Sequence, residues 1–200
     1  MAFSTSRWQF LPLMLVLSAK FVVKREVSMP TYQLLKFETD LGRMWMLVQP
    51  RHLCRLSFGS PTSRTSAQTI GSDQFETVDE PQAAWQAGLM TTLGRYAQGE
   101  PQRFSDIPLQ LSWLTPFARR VIHRCRQIPF GKTASYSELA AQAGSPKAAR
   151  AVGNVMARNR FPLVVPCHRV VGARRTLGGF SAGQGVGLKR RLLQLEGTHF

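Results

Sequence analysis

The stretch Phe161-Pro162-Leu163-Val164-Val165-Pro166-Cys167-His168-Arg169-Val170-Val171-Gly172 decides how this chain is read. Phe161 to Val165 is a short apolar run, and that character predicts a buried strand. Pro166 ends it, because proline has no N–H for a ladder. Cys167 and His168 then stand side by side at the strand's end. Val170 and Val171 resume the apolar character, and Gly172 closes the stretch. A thiol next to an imidazole, held between apolar walls, is a candidate nucleophile. The imidazole either takes the thiol's proton or stabilises the thiolate. A lone Cys beside a lone His is more often an accident of composition and the Cys an inert core residue, so the surroundings must decide.

The chain of 200 residues is long enough for one large or two small domains, each with its own core. Its apolar share is ordinary for a globular protein and excludes a disordered one. The charge is not ordinary: 26 Lys and Arg against 11 Asp and Glu, a net +15. Nearly all of the excess lies in one half. Residues 1–112 hold 11 basic and 9 acidic side chains, and residues 113–200 hold 15 and 2. Such asymmetry points to a polyanionic partner for the second half, nucleic acid first and a membrane surface second. Cys54, Cys125 and Cys167 are widely spaced, with neither metal-ligand spacing nor an even count. A disulfide framework and a zinc site are both excluded by that spacing, and a reducing interior suits the chain better.

Residues 1–28 are read as an extension outside the fold, or as a segment upstream of a true start at Met29. The apolar run Phe10–Leu17 is too short for a bilayer, which needs about 20 residues. From Tyr32 the pattern becomes orderly. Tyr32–Thr39 and Met44–Val48 form a hairpin around Asp40-Leu41-Gly42, and Arg51–Gly59 reads as a third strand. Ser60–Asp73 is a loop by composition. Ala84, Trp85, Leu89, Leu93 and Tyr96 or Ala97 fall at helical spacing within Ala83–Gln98. Ile107–Leu111 alternates, which predicts a last strand for this half. Cys54 reads as core, and nothing here points to chemistry.

The second half opens on a helix start, with Thr115 as cap and Pro116 at the first helical position. Phe117, Val121, Ile122, Cys125 and Ile128 share one face, and Pro129-Phe130-Gly131 stops the helix. Ser135 and Glu138 have capping-box spacing ahead of Leu139-Ala140-Ala141. Gly144-Ser145-Pro146 turns the chain, and Lys147 to Arg158 supplies a second helix. Two short helices around a Gly-containing turn are a helix-turn-helix. Lys147, Arg150, Arg158 and Arg160 lie on or beside the second helix, where a recognition helix needs cations. The small Ala148, Ala149, Ala151 and Gly153 allow close approach to a groove, and they would equally serve helix packing. Gly178–Gly187 reads as a mobile loop around Phe180 and Ser181; its Gly183-x-Gly185-x-Gly187 lacks what a phosphate cradle requires. Leu188–Leu195 is a final helix, with Leu188, Leu192, Leu193 and Leu195 expected inward and Lys189, Arg190 and Arg191 outward. Glu196, one of only two acids in this half, stands in an apolar context and is placed to orient an imidazole.

Pro166-Cys167-His168-Arg169-Val170 closely resembles the active-site signature of the O6-alkylguanine-DNA alkyltransferases, suicide repair proteins that move an alkyl group from a flipped guanine to their own cysteine. Other matching pieces follow in order: Ser135 to Ala140, Gly144 to Gly153, Asn159, Pro162, and then Leu192-Leu193 with Glu196-Gly197. The resemblance covers residues 113–200 well and 31–112 only in outline. It implies an α+β fold: a small N-terminal sheet-plus-helix, ribonuclease H-like supporting domain over 29–112, then a winged-helix-like helix-turn-helix alkyltransferase domain over 113–200. It implies that Cys167 accepts the alkyl group, that His168 acts on it through a water, and that Glu196 holds His168. Tyr136 would contact the flipped base and its 3′ phosphate and protonate the departing guanine. Arg150 would fill the gap left in the stack, with Lys147, Ala148, Ala149 and Arg158 also at the DNA. Asn159 would support the active-site turn, and Pro162, Val170, Phe180 and Ser181 would wall the pocket. The resemblance implies no cofactor and no metal, a monomer, double-stranded DNA carrying O6-alkylguanine (and O4-alkylthymine as a second candidate) as partner, no membrane, and a cytoplasmic or nuclear location. Phe180 departs from the family's usual Tyr, which removes one polar contact to the base, and the Gly178–Gly187 loop differs in length from some relatives.

Three rival readings make different demands. A damage sensor of the alkyltransferase-like type flips alkylated bases without repairing them and replaces the nucleophile, whereas this chain keeps Cys167. A helix-turn-helix transcription regulator would leave the Cys-His pair incidental and ignore alkyl damage. A cysteine hydrolase needs an oxyanion hole and a small-molecule cleft, and would leave the basic half unexplained.

Overall fold

The computed structural model describes residues 32–61, 75–182 and 185–199. The expectations for residues 1–28, for most of the Ser60–Asp73 loop and for Gly183 lie outside these segments. The first half is a four-stranded sheet with one helix. Strands β1 (Tyr32–Thr39), β2 (Gly42–Gln49) and β3 (His52–Phe58) pair antiparallel in succession, and β4 (Phe75–Thr77) adds parallel to β1, giving the order β3-β2-β1-β4. Gly42 closes the hairpin at φ 103°, a backbone that a side chain would strain. Register places Leu35, Met46 and Leu56 in one row and Leu34, Leu47 and Arg55 in the next.

Both faces of the sheet are apolar, which explains why Met44 to Val48 is buried without alternation. One face, with Leu35, Met46, Val48, Leu53 and Leu56, joins the main core, and Leu89, Leu93 and Tyr96 of helix α1 (Ala84–Ala97) belong to that same core. The other face carries a smaller cluster of Leu34, Trp45, Leu47 and Cys54.

The second half is helical. Helix α2 (Pro116–Arg126) is capped as its sequence predicts, the Thr115 hydroxyl accepting from Ala118 N–H at 3.2 Å. Helix α3 (Tyr136–Gln142) starts on a complete capping box. Glu138 N–H donates to the Ser135 hydroxyl at 3.1 Å, and Ser135 N–H donates to the Glu138 carboxylate at 2.6 Å. Arg120 and Arg124 of α2 donate to the carbonyls of Ala143 and Gln142, satisfying the C-terminal end of α3. Helix α4 (Ala149–Ala157) follows the turn, and Gly144 sits there at φ 75°. The two helices have helix-turn-helix connectivity, with Lys147 in the turn. Helix α5 (Val186–Leu195) completes the chain.

The halves share one continuous core, in which Leu35, Met46 and Leu93 belong with Val121, Val152, Phe161 and Leu192. Arg126 reaches back from α2 to the carbonyls of Ser105 and Ile107, both at 2.9 Å. Leu56 N–H of β3 donates to Arg160 C=O at 2.9 Å.

Three expectations are corrected. Phe161–Val165 is not a strand but a buried chain of turns, with Leu163 at φ 70°. Two prolines four residues apart remove the ladder donors, so the apolar character serves burial alone. Ile107–Leu111 forms only a single parallel bridge, Leu109 to Leu53, since Pro108 has no N–H to extend it. Lys189 of α5 points inward and is fully buried, while Leu195 is only half-buried. The structure also holds a pair of two-residue strands too short to read from sequence. Strand β5 (Ala134–Ser135) pairs parallel with β6 (Val170–Val171) and ties the start of α3 to the Cys167 segment.

Because the Ser135 hydroxyl satisfies an otherwise orphaned N–H at the start of α3, Ser135→Ala is expected to cost about 1 kcal/mol of stability. Urea unfolding would read this as a lower midpoint with an unchanged slope; an unmoved midpoint would refute it.

Candidate functional site

Cys167 opens a 3₁₀ turn (Cys167–Arg169) held by a side-chain clamp. Asn159, two residues past α4, accepts Phe161 N–H at 2.9 Å through Oδ1. That bond orients the amide, so Nδ2 faces the turn and donates to Val165 C=O at 2.9 Å and to Cys167 Sγ at 3.0 Å. A donor aimed at sulfur favours the thiolate. Burial works against it, pushing the Cys167 thiol up, while the Asn159 amide and the Lys189 charge pull it down.

Lys189 Nζ donates to Val170 C=O at 2.6 Å. Burial lowers this ammonium to about 8. The expected outward direction failed because charge was weighed above spacing: Lys189 stands three and four residues from the buried Leu192 and Leu193, on the same helix face.

Behind the cysteine lies a charged centre closed to solvent. Glu196, at the C-terminus of α5, stands 2.8 Å from His168 Nε2. Arg169 donates to both of its carboxylate oxygens, at 2.9 Å from Nη2 and 3.0 Å from Nε. The Gly131 N–H donates at 3.1 Å. Tyr96 of α1 donates its hydroxyl at 2.6 Å. Gly131 has φ +69°, and a Cβ there would meet the Glu196 carbonyl oxygen at 3.0 Å, so only glycine fits this approach. Burial pushes the Glu196 carboxyl up, but His168 and Arg169 outweigh it and hold the group at about 2. The Arg169 guanidinium bonds both carboxylate oxygens, a support for Glu196 that does not depend on His168. Burial lowers the imidazole of His168 and Glu196 opposes that. Nε2 faces a carboxylate and therefore carries the proton in the neutral ring, leaving Nδ1 as a bare acceptor; Nδ1 is buried without a partner among the described residues.

In front of the cysteine is a cleft of about 420 Å³, lined by Tyr136, Gly153, Met156, Cys167, Phe180 and Ser181 among others. Gly153 and Met156 belong to α4, so the recognition helix of the sequence reading forms one wall. Tyr136, first residue of α3, fits because Gly178 leaves room: at φ +65°, a Cβ there would lie 3.2 Å from the phenol oxygen. Burial raises the Tyr136 phenol, so it stays protonated. The Ser181 hydroxyl donates to Ala157 C=O at 2.8 Å, tying the glycine-rich segment to the end of α4.

The structure thus gathers Cys167, His168, Glu196, Tyr136, Asn159, Phe180 and Ser181 around one thiol. Pro162 and Val170 are buried and do not line the cleft. Lys147, Arg150 and Arg158 are exposed on or beside α4, with Ala148 and Ala149 half-buried at its start. Arg160 stacks its guanidinium 4.0 Å from the centre of the Trp113 ring. Sequence reading missed Tyr96, counting it as one more apolar helix position, and Arg169, taken as part of a motif without a partner. No group of three His, Cys, Asp or Glu side chains among the described residues is arranged to hold a metal ion. No described helix is long and apolar enough to cross a membrane.

Residues 116–198 match the family model described as "6-O-methylguanine DNA methyltransferase, DNA binding domain". The methylated-DNA–protein-cysteine methyltransferase of Mycolicibacterium paratuberculosis is 47% identical over 113 residues, 56% of this chain and 66% of that one. The constitutive methylated-DNA–protein-cysteine methyltransferase of Bacillus subtilis is 36% identical over 160 residues, 80% of this chain and 92% of that one. The Mycobacterium tuberculosis OGT crystallised in complex with DNA superposes with a TM-score of 0.65 at 32% identity, covering 82% of this chain and 93% of that one.

A carboxyl held below its ordinary value stabilises the fold fully above its unfolded pKa, and that contribution is lost as pH falls through the folded value. For Glu196 the window runs from about pH 5 down toward about 2. The stability gap between the parent protein and Glu196→Gln is expected to be on the order of 3 kcal/mol above that window and to narrow steadily on acidification. Urea unfolding at a series of pH values measures it, and a gap independent of pH would contradict the assignment.

Proposed function

The chain belongs to the methylated-DNA–protein-cysteine methyltransferase family, and from that premise we propose that it is a single-turnover DNA repair protein that takes the alkyl group of O6-alkylguanine onto Cys167. The observation that carries this reading is the position of the thiol. Its sulfur receives an amide donor from Asn159 at 3.0 Å and lies in the floor of a cleft walled by the helix that bears Arg150. The alkylated oxygen is inside the duplex, so the guanine must turn out of the stack to reach that floor. Arg150 fills the space it leaves and satisfies the orphaned cytosine. Lys147 and Arg158 neutralise phosphates, and Ala148 and Ala149 let the backbone approach them.

The chemistry then needs one proton moved each way. The Cys167 thiol passes its proton, through a water, to Nδ1 of His168, while Glu196 holds Nε2 and stabilises the imidazolium. The thiolate attacks the alkyl carbon in line with the bond to O6. A carbon–sulfur bond forms, the carbon–oxygen bond breaks, and its electron pair leaves with the guanine. Tyr136, protonated in the cleft, supplies the proton that neutralises the departing base. Phe180 and Ser181 close the cleft over the base, and Asn159 keeps the sulfur aimed. The product is a thioether, which no group in the site can cleave, so each molecule acts once. No cofactor enters the balance. Such a protein works where the DNA is, in a bacterial cytoplasm or a nucleus.

Mixing the protein with an oligonucleotide bearing one O6-methylguanine, followed by peptide mass spectrometry, tests the reading. One methyl group per protein is expected on the Cys167 peptide and none in Cys167→Ala; tight lesion binding without transfer would make the protein a sensor instead.

Arg150→Ala is expected to slow transfer from duplex DNA about tenfold or more, because extrusion loses its substitute in the stack. Transfer from a free O6-alkylguanine base should be unchanged in that variant. Equal losses on both substrates would remove Arg150 from the role.

A further inference from the structure

The relay behind Cys167 contains a member from the other half of the chain. Tyr96 lies on α1, in the sheet-bearing half, and is completely buried. Its hydroxyl donates to Glu196 Oε1 at 2.6 Å and stands 3.3 Å from His168 Nε2. The same Oε1 is 2.8 Å from His168 Nε2, so phenol, imidazole and carboxylate form a closed triangle. The ring is held edge-on against Phe104, Phe130 and His168. A buried phenol that packs as an aromatic and spends its polar end on the ion pair is more than a core residue. We infer that Tyr96 is a positioning residue of the alkyl-transfer relay, through which the N-terminal half sets the proton affinity of His168.

The inference rests on the reading of Cys167 as the alkyl acceptor and His168 as its base. Its physical content is charge sharing. Each donor to Glu196 Oε1 takes part of the carboxylate's negative charge, and less remains to stabilise an imidazolium. The charged and titratable groups around the imidazole are Glu196 and Lys189 from α5, Arg169 and Cys167 from the 3₁₀ turn, and Tyr96 from α1. Arg169 and Lys189 disfavour the imidazolium and Glu196 favours it. Tyr96 weakens Glu196's hold and so sides with the two cations. Burial raises the Cys167 thiol and lowers the His168 imidazole, so the pair rests as neutral thiol and neutral imidazole. The first proton lost on leaving acid is then His168's, and the acid limb of the transfer rate reports it. Tyr96 itself stays protonated, because burial and Glu196 push its phenol well above its ordinary value.

Single-turnover transfer to an O6-methylguanine duplex, measured across pH, tests this with two isosteric variants. Tyr96→Phe keeps the ring and deletes the donor, and its acid limb is expected to move up by about one pH unit, the equivalent of a tenfold change in proton affinity. Site-specific 3-fluorotyrosine at position 96 keeps the fold and strengthens the donor, so its limb should move the other way. Duplex affinity should not change in either protein. Limbs that coincide with the parent's, whatever happens to the plateau rate or the melting temperature, would reduce Tyr96 to packing and overturn the inference. A parent protein that transfers no methyl group would instead overturn the alkyl-transfer reading on which the inference rests.

Discussion

The structure depends on one buried carboxylate. Glu196 has no solvent to lean on, and a bare charge in that position would be prohibitive. Its donors are the Tyr96 hydroxyl, the Gly131 N–H, His168 Nε2 and the Arg169 guanidinium. They come from α1, from the loop after α2 and from the turn that carries Cys167. A single side chain therefore ties the sheet-bearing half, the entry to the helix-turn-helix and the thiol turn into one arrangement. Arg169 also donates to Ile128 C=O at 2.6 Å, which fixes the guanidinium before it meets the carboxylate. Removing one partner from such a centre leaves the others buried and less well satisfied, so each deletion carries a stability cost.

The thiol turn is built by the same economy of donors. Pro162 and Pro166 deny it a strand, and Leu163 takes a left-handed backbone at φ 70°. The Asn159 side chain replaces the missing ladder by bonding Phe161 and Val165 across the turn. Its remaining amide hydrogen then has only the sulfur to face. The group that shapes the turn is thereby the group that donates to the Cys167 sulfur. On the other side, the short β5–β6 pair locks Val170-Val171 to Ala134-Ser135, one residue before Tyr136. Cleft floor and cleft wall are joined by backbone hydrogen bonds, which explains how two side chains 31 positions apart keep a common geometry.

Much of this was legible in the residues. The hairpin, α1, the capped α2 and the capping box of α3 follow from local signals, and the structure has each of them. The contact between His168 and Glu196, next to Cys167, was readable because the resemblance around them is dense. What could not be read has more than one cause, and for Tyr96 the warrant is distant in sequence. Tyr96 lies 100 residues from the carboxylate it serves, and on a helical wheel it is only another apolar position. Phe161–Val165 looked like a strand because apolar content reports burial, not backbone shape. Lys189 looked solvated because lysine usually is, although its spacing from Leu192 and Leu193 put it inward.

In the proposed transfer, the placement of Lys189 helps a buried thiol to act as a nucleophile. Burial alone would leave Cys167 an ordinary protonated thiol, inert toward an alkyl carbon. The ammonium, held on Val170 C=O, and the Asn159 amide both favour the thiolate, and neither supplies an acceptor for its proton. In the proposed relay, His168 Nδ1 is that acceptor. Burial lowers the imidazole, which favours the neutral ring with Nδ1 unprotonated. Burial raises the thiol and lowers the imidazole, and both shifts favour the neutral pair. Under the proposed single-turnover transfer, a thiol that stays neutral until a base takes its proton spends each molecule on a lesion rather than on solvent.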